Sequence, residues 1–232
     1  MKSSLFGQNL EADTTETMSL QNPYLLKVQL NGELLARQGA MVVYQGQIAF
    51  AYQGAGGVGK LLKKALTGEG VPLMRCSGQG DLFLAQHAYQ LHIVDLDGDS
   101  LTVNGDNVLA FDPSLSWDIR RVEGASVLSG GVFNMVFTGS GRLVLSAFGT
   151  PVVLDAGQVP TYADLQSAIA WSSSLRTQLV RTAGAGALIG RGSGEAFQLA
   201  FQGQGFVVVQ ASEGPFVPHH NHGGGGGSGL FG

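Results

Sequence analysis

A short glycine pattern recurs three times along this chain and constrains its fold more than any other feature. Each copy is Gly-x-Gly with apolar residues following, and the copies lie at 78–80, 139–141 and 203–205. Their first glycines are 61 and then 64 positions apart. The residues four and two positions before each copy also correspond, and they are Met74 and Cys76, Met135 and Phe137, Leu199 and Phe201. A near-constant period of this length indicates internal duplication of a structural unit.

A second pattern keeps the same phase. Ala-Phe-Asp-Pro-Ser-Leu at 110–115 corresponds to Ala-Trp-Ser-Ser-Ser-Leu at 170–175, an offset of 60. Two glycines at a spacing of two leave the backbone bare on one face of a strand, where a neighbouring strand or a large side chain can cross closely or the strand can bulge. A dinucleotide-binding loop would need a third glycine and a following helix, which these segments lack.

Strand patterns dominate the rest of the chain. Alternating apolar residues at 26–30 end at Asn31-Gly32, and Asp97-Gly98 separates two further apolar runs, so both dipeptides predict hairpin turns. Gly149 and Pro151 divide 143–154 into two strands. We therefore predict an all-β fold of repeated antiparallel sandwich-like or barrel-like units with pseudo-threefold internal duplication.

Helical patterns are rare. One pattern covers Lys60 to Leu66. Another covers 162–169, and Thr161 and Asp164 at its start resemble a capping box.

The repeats divide the chain into one β body and a tail. The body is predicted to span 1–217 and to contain three units, and residues 218–232 form a His- and Gly-rich tail. Since the last Gly-x-Gly copy lies too near the C-terminus for a full unit, strands from both ends are expected to build one unit together. The predicted units are 24–70 with 195–217, 71–130, and 131–190.

Composition excludes several classes of function. Charged residues make up 13% of the chain and the net charge is −4, without a basic stripe, which argues against nucleic-acid binding. The single cysteine, Cys76, has no partner for an internal disulfide and is predicted to be a small buried apolar group. Residues 1–13 lack the apolar core of a signal peptide, and no apolar run is long enough to span a membrane. A cytoplasmic protein is expected.

Two motifs resemble chemical sites but miss essential residues. Residues 54–60 fit Gly-x-x-x-x-Gly-Lys, yet Leu61 stands where a phosphate loop needs Ser or Thr for magnesium, so a glycine connector is favoured over nucleotide binding. Asp95, Asp97, Asp99 and Asp106 are spaced like calcium ligands, but Ser100 replaces the required glycine and a solvated turn is favoured.

The histidines do not predict a site. His87 and His92 lie in strand-like sequence without evident ligand partners, and three more histidines precede a run of glycines in the tail. This tail, with His219, His220 and His222, is expected to be a low-complexity end, and metal binding there stays open. No catalytic, cofactor or metal residue is predicted elsewhere, and no cofactor is expected.

One basic amphipathic patch occurs at 60–66. Its leucines are expected to pack on the β body with the lysines in water. Peripheral membrane contact through Lys60, Lys63 and Lys64 is the alternative.

Several of these segments together resemble a known family. The glycine-rich connector running into Lys60-Leu61-Leu62, the stretch Leu-Thr-Gly-Glu-Gly at 66–70, the strand with the first Gly-x-Gly copy, and 37–46 are similar to the altered-inheritance-of-mitochondria, or mitochondrial biogenesis, proteins. The resemblance covers roughly 24–217. It implies an all-β fold related to the tryptophan RNA-binding attenuation protein, and a protein whose bacterial relatives have no established activity.

These observations favour a non-enzymatic β protein that self-assembles as a scaffold or interaction component. Low charge and exposed strand edges predict a homo-oligomer, and the internal repeat suggests a trimer. The alternative is a small-ligand binding module with a pocket between repeats. A nucleotide-hydrolysing enzyme ranks third.

Overall fold

The computed structural model describes residues 2–53, 72–122, 133–181 and 197–212. Within these ranges the chain is almost entirely β, with one four-residue α-helix, α1, at Leu5–Gln8 and one turn of 3-10 helix at Gly105–Asn107. The first eight strands are β1 (Met18–Asn22), β2 (Leu25–Arg37), β3 (Met41–Gln53), β4 (Leu73–Leu84), β5 (Gln90–Asn104), β6 (Val108–Phe111), β7 (Ser116–Arg121) and β8 (Phe133–Ala147). The others are β9 (Val152–Asp155), β10 (Thr161–Ala163), β11 (Ala168–Ser172), β12 (Arg176–Arg181), β13 (Phe197–Gln202) and β14 (Phe206–Val209).

The strands form two antiparallel sheets. The larger has 11 strands in the order β3-β4-β2-β6-β8-β5-β11-β14-β9, with β1 paired to β2 and β7 paired to β8. The smaller has three strands in the order β10-β13-β12. Among the described strands, β3 and β9 lie at the two ends of the larger sheet, which does not close into a barrel. The all-β prediction is confirmed, and the barrel-like alternative is not supported.

Two predicted hairpin turns are wrong. Asn31 and Gly32 lie in the middle of β2, and Asp97 and Gly98 lie in the middle of β5, where the register shifts by one residue. Gly32 and Gly98 both have positive φ angles, so each supplies the unusual backbone that the sequence indicated. In β2, which pairs with β4, this backbone forms a bend within the strand. In β5, which pairs with β8, it forms a bulge.

The helix predicted at 162–169 is also wrong. Residues 161–163 form β10 and β11 begins at Ala168. The Asp164 carboxylate accepts hydrogen bonds from the backbone N–H groups of Gln166 and Ser167, at 2.7 and 3.2 Å, and so closes a turn between the two strands. The predicted break at Gly149 and Pro151 is confirmed, because it separates β8 from β9.

The repeated apolar positions lie in three separate cores. Met74, Cys76, Leu82 and Leu84 belong to the first, which β2 and β4 dominate. The equivalent residues of the second Gly-x-Gly copy, Met135, Phe137, Leu143 and Leu145, belong to the second core, and those of the third copy, Leu199, Phe201 and Val207, to the third. Each copy therefore supplies the same positions to a core of its own.

The last two strands pair with strands of the C-terminal half. β13 pairs with β10 and β12, and β14 pairs with β11 and β9. Among the described residues no strand pairing joins β13 or β14 to β2 or β3, and the grouping of 24–70 with 195–217 stays a prediction. The pseudo-threefold relation itself stays a prediction.

No helix in the described part of the chain combines the length and apolarity needed to cross a bilayer.

Gly32 and Gly78 provide a matched test of close backbone packing. They face each other across β2 and β4 and have similar φ angles of 126° and 133°. A Cβ at Gly78 would collide with the backbone carbonyl oxygen of Gln47, whereas a Cβ at Gly32 would meet open space. We expect Gly78→Ala to lower the free energy of unfolding by at least about 2 kcal/mol more than Gly32→Ala, as measured by urea denaturation. Equal losses would show that backbone strain alone, and not the contact with β3, requires glycine here.

Candidate functional site

The second Gly-x-Gly copy is covered by the turn that joins β6 to β7. The Ser114 hydroxyl donates to the carbonyl oxygen of Ser140 at 3.0 Å, and an Asp112 carboxylate oxygen accepts from the backbone N–H of Arg142 at 2.7 Å. A Cβ on Gly141 would lie 2.7 Å from Ser114 Oγ, so this turn can approach only a bare backbone. The Phe111 ring, which leads into the turn, packs edge-on against Phe137 at a centroid distance of 4.9 Å.

The third copy is covered in the same way by the turn that joins β11 to β12. The Ser174 hydroxyl donates to the carbonyl oxygen of Gln204 at 3.0 Å, and Ser172 Oγ accepts from the backbone N–H of Phe206 at 3.0 Å. Trp171 packs edge-on against Phe201 at 5.3 Å. The two repeated patterns of the sequence are therefore the two halves of one contact, which occurs twice with the same hydrogen bonds.

The first copy is covered by a strand. The carbonyl oxygens of Gln45 and Gln47 in β3 lie where Cβ atoms on Gly80 and Gly78 would be. β3 pairs with β4 along 41–53 and forms one end of the larger sheet. Most of its large apolar side chains are exposed, and these are Met41, Val42, Val43, Tyr44, Phe50 and Tyr52.

A cleft of about 690 Å³ lies between the second and third Gly-x-Gly copies. It forms because β11 pairs only with 101–103 of β5, so that the part of β5 before the bulge is not paired with β11. The apolar lining is Val94, Leu96, Leu101, Leu145, Val153, Ala170, Phe206 and Val208. The polar lining is Asp95, Asp99, Ser100 and the three serines at 172–174. A volume of this size suits a small organic molecule.

The acidic rim of the cleft has one paired and one open carboxylate. Asp95 accepts from Arg142 Nε at 3.0 Å, and Arg142 also donates to Glu16 at 3.1 Å and to the carbonyl oxygen of Met18 at 2.9 Å. Burial acts to lower the pKa of Arg142, but the hydrogen bonds and charges of Asp95 and Glu16 outweigh it and raise that pKa. Asp99 has only a 3.5 Å contact from the backbone N–H of Asp97 among the described residues.

The serines at the opposite side of the cleft have internal hydrogen bonds. Ser173 Oγ lies 2.9 Å from Thr102 Oγ1, and Ser172 and Ser174 hold the turn over the glycine pair. The three hydroxyls at 172–174 are therefore all engaged in hydrogen bonds within the protein.

A segment before β1 is held by side chains of β2. Buried Lys27 lies 2.8 Å from the Glu11 carboxylate and donates to the carbonyl oxygen of Ala12 at 2.8 Å, and Gln29 donates to that of Thr14 at 2.7 Å. The hydrogen bond between Lys27 and Glu11 raises the pKa of the lysine and lowers that of the carboxyl. Sequence reasoning missed this attachment, because a single lysine in a strand carries no signal of a partner 16 residues earlier.

The aspartates that are spaced like calcium ligands in the sequence do not come together in the structure. Asp95 binds Arg142, while Asp106 lies 4.0 Å from Arg37 Nη2. Among residues 2–53, 72–122, 133–181 and 197–212, no group of three or more His, Cys, Asp and Glu side chains is placed to hold a metal ion. Asp97 and Gly98 lie in the bulge of β5, so the turn predicted there is wrong.

Cys76 and His92 lie in strands, and His87 lies in a turn. Cys76 is buried and free, and burial raises the pKa of its thiol to about 11, so it stays protonated and unreactive. This agrees with the predicted buried apolar role. His87 lies in an exposed turn with φ of 48°, and not in a strand as its sequence suggested, whereas His92 lies in β5.

Several predicted sites lie outside the described residues. They are the Gly-x-x-x-x-Gly-Lys motif at 54–60, the patch with Lys60, Lys63 and Lys64, and the tail with His219, His220 and His222.

Comparison with known proteins places the chain in a family. Residues 18–212 match the family described as mitochondrial biogenesis AIM24. The chain belongs to this family. The resemblance to this family is thereby confirmed, whereas the fold relation to the tryptophan RNA-binding attenuation protein stays a prediction. The match spans all fourteen described strands, including the three Gly-x-Gly copies.

A solved structure supports the fold. The X-ray crystal structure of protein SPYM3_0169 from Streptococcus pyogenes, a structural-genomics target, is similar with a TM-score of 0.69 at 23% sequence identity. The similarity covers 84% of this chain and 92% of that one. No curated protein matches the chain significantly.

His92 predicts a pH-dependent stability. Its Nε2 atom is buried and has no hydrogen-bond partner in the described part of the chain, and burial lowers its pKa from the ordinary 6.5. The folded protein therefore stays neutral at this site while the unfolded chain takes up a proton, so stability is full above pH 6.5 and falls as the pH drops below it. We expect His92→Phe to reduce the loss of urea resistance between about pH 7.5 and about pH 5.

The control for this prediction is His87→Gln, which changes an exposed histidine and should leave the loss unchanged. A wild-type-like loss in His92→Phe would contradict the assignment to His92.

Proposed function

We propose that this protein is a non-enzymatic scaffold that assembles by pairing β3 with β3 of a second copy. The observation that carries the proposal is the composition of this edge strand. Over Met41–Gln53 it contains no charged residue and no proline. Soluble proteins usually protect free strand edges with lysine, proline, bulges or short length.

The length of β3 also favours pairing with another strand. Thirteen residues of extended chain present on the order of 40 Å of edge. Twelve of them are exposed or partly exposed, and only Ile48 is buried. Tyr44 and Phe50 pack edge-on at 5.3 Å and form an aromatic pair on the strand. Burying such side chains between two copies would be favourable.

The other end of the larger sheet is better protected. β9 has four residues, follows Pro151 and ends with the charged Asp155. Proline removes a backbone donor, and a short strand offers few hydrogen bonds. This contrast supports β3 as the assembling edge and argues against joining β3 of one copy to β9 of the next.

Symmetry favours a dimer. Gln47 lies at the centre of β3, next to the bend at Gly46, so antiparallel pairing about Gln47 would set the bends of two copies almost opposite each other. Identical edges joined in this way close a twofold assembly. The trimer suggested by the internal repeat is the competing assembly.

A charge at the centre of β3 tests this assembly. Gln47→Lys would place two ammonium groups opposite each other across the twofold axis, and like charges facing each other between strands are destabilising. We expect wild type to have twice the chain mass of 24.1 kDa by light scattering coupled to size exclusion. The variant should have a dimer dissociation constant at least about tenfold higher.

Two further variants make the test specific. Mixing Gln47→Lys with Gln47→Glu should restore a dimer that contains one copy of each. Gln79→Lys is the matched control, because Gln79 is exposed and pairs with Gln47 from the next strand inward, where no second copy would reach. A monomeric or trimeric wild type, or a dimer unaffected by Gln47→Lys, would contradict the proposal.

The second candidate function is small-ligand binding. The specific observation in its favour is the cleft of about 690 Å³ between β5 and the β9–β14 pair, with an apolar floor and a polar rim. It does not compete with the first candidate for residues.

A further inference from the structure

We infer that the cleft binds an amphiphile with an apolar chain and a positively charged ammonium head. The inference rests on the ligand-binding candidate above and adds the chemical class of the ligand. It follows from the apolar residues on one face of the sheet, the charges at the rim and the hydrogen bonds already present there.

The floor of the cleft is one face of the larger sheet. Ala170 pairs with Val103, Ser172 with Leu101, and Val208 with Val153, so residues from four neighbouring strands point to one side. The apolar floor at Leu96, Leu101, Leu145 and Ala170 is buried and belongs to the second core. Val153 and Phe206 of the lining are exposed, so a ligand in the cleft would cover their apolar surface, which favours a hydrocarbon body.

The charges at the rim are of one sign. Among the residues that the structure describes, Asp95 and Asp99 are the only charged ones that line the cleft. Asp95 is neutralised by Arg142 at 3.0 Å, which leaves Asp99 as the carboxylate available to a ligand. An ammonium group next to Asp99 would gain a charge-assisted hydrogen bond, and a carboxylate or phosphate there would be repelled.

The serine side of the cleft adds no positive charge. The three hydroxyls at 172–174 are engaged with Phe206 N, Thr102 Oγ1 and the Gln204 carbonyl oxygen. None of them can counter the charge of Asp99. The cleft therefore favours cations over anions of the same length.

Three eight-carbon probes separate the chain from the head group. We expect the full-length protein to bind octylammonium saturably, at one per chain, by isothermal titration calorimetry. Octan-1-ol should bind more weakly, and octanoate at least about tenfold more weakly than octylammonium. Octanoate binding as tightly as octylammonium would overturn the inference, and so would the absence of saturable octylammonium binding.

Charge variants locate the head group. Asp99→Asn should lower the octylammonium affinity about fivefold and leave octan-1-ol within about twofold. Asp97→Asn is the matched control, because Asp97 is a neighbouring exposed carboxylate that does not line the cleft. Equal losses in the two variants would show a general charge effect and would overturn the assignment to Asp99.

A second pair of variants locates the chain. Val153 lines the cleft, whereas the preceding residue of β9, Val152, does not, and both are exposed. Val153→Arg should abolish octylammonium binding by placing a cation beside the apolar floor, and Val152→Arg should leave it within about twofold. Loss of binding in Val152→Arg alone would overturn the inference.

The same variants separate this inference from the β3 assembly. Val153→Arg should keep the mass of the wild type, since β9 lies at the far end of the sheet from β3. Gln47→Lys should keep octylammonium binding while it weakens the dimer. A change in mass caused by Val153→Arg would identify the cleft as a contact between copies and overturn its role as a ligand site.

Discussion

The fold depends on backbone approach to three glycine pairs that have no Cβ atoms. At 139–141 and 203–205 the approaching group is a serine-bearing turn, and at 78–80 it is the backbone of β3. This difference has consequences for the surface. A turn ends where it covers the glycines, so it leaves no free edge, whereas a strand covers them on one side and exposes an edge on the other. The turn at 172–174 also forms one wall of the cleft. The edge of β3 and the cleft, the two proposed interaction sites, therefore each lie at a segment that covers a glycine pair.

Much of the fold could be predicted from the sequence because the repeats carry local information. The apolar residues around each Gly-x-Gly copy predicted core positions, and Cys76, Phe137 and Phe201 are buried in three separate cores. The sequence could not tell a hairpin turn from a bend within a strand. Asn31-Gly32 supplies a positive φ angle in either case. The choice is made by β4, which pairs with β2 on both sides of Gly32 and lies more than 40 residues away in the chain.

The candidate sites were less predictable, for two different physical reasons. The cleft joins Asp99 of β5 to Phe206 of β14, and no local pattern relates residues so far apart. Its existence depends on how few residues of β11 pair with β5. The edge of β3 did carry a signal, namely thirteen residues without a charge. An uncharged strand indicates a contact between copies only when it lies at the edge of a sheet, and the sequence does not show the sheet order. A strand of the same composition in the middle of a sheet would be ordinary.

The positions of the two sites determine how they can act together. Four strands, β4, β2, β6 and β8, lie between β3 and β5 in the larger sheet. Pairing through β3 would therefore leave the cleft of each copy open, and a twofold axis would place two equivalent clefts away from the contact. Ligand binding and assembly would then be energetically independent unless a ligand altered the pairing of β5 with β8, which connects the cleft to the rest of the sheet. Arg142 of β8 binds both Asp95 at the rim and Glu16 before β1, so it is the side chain through which such a change would reach the N-terminal segment.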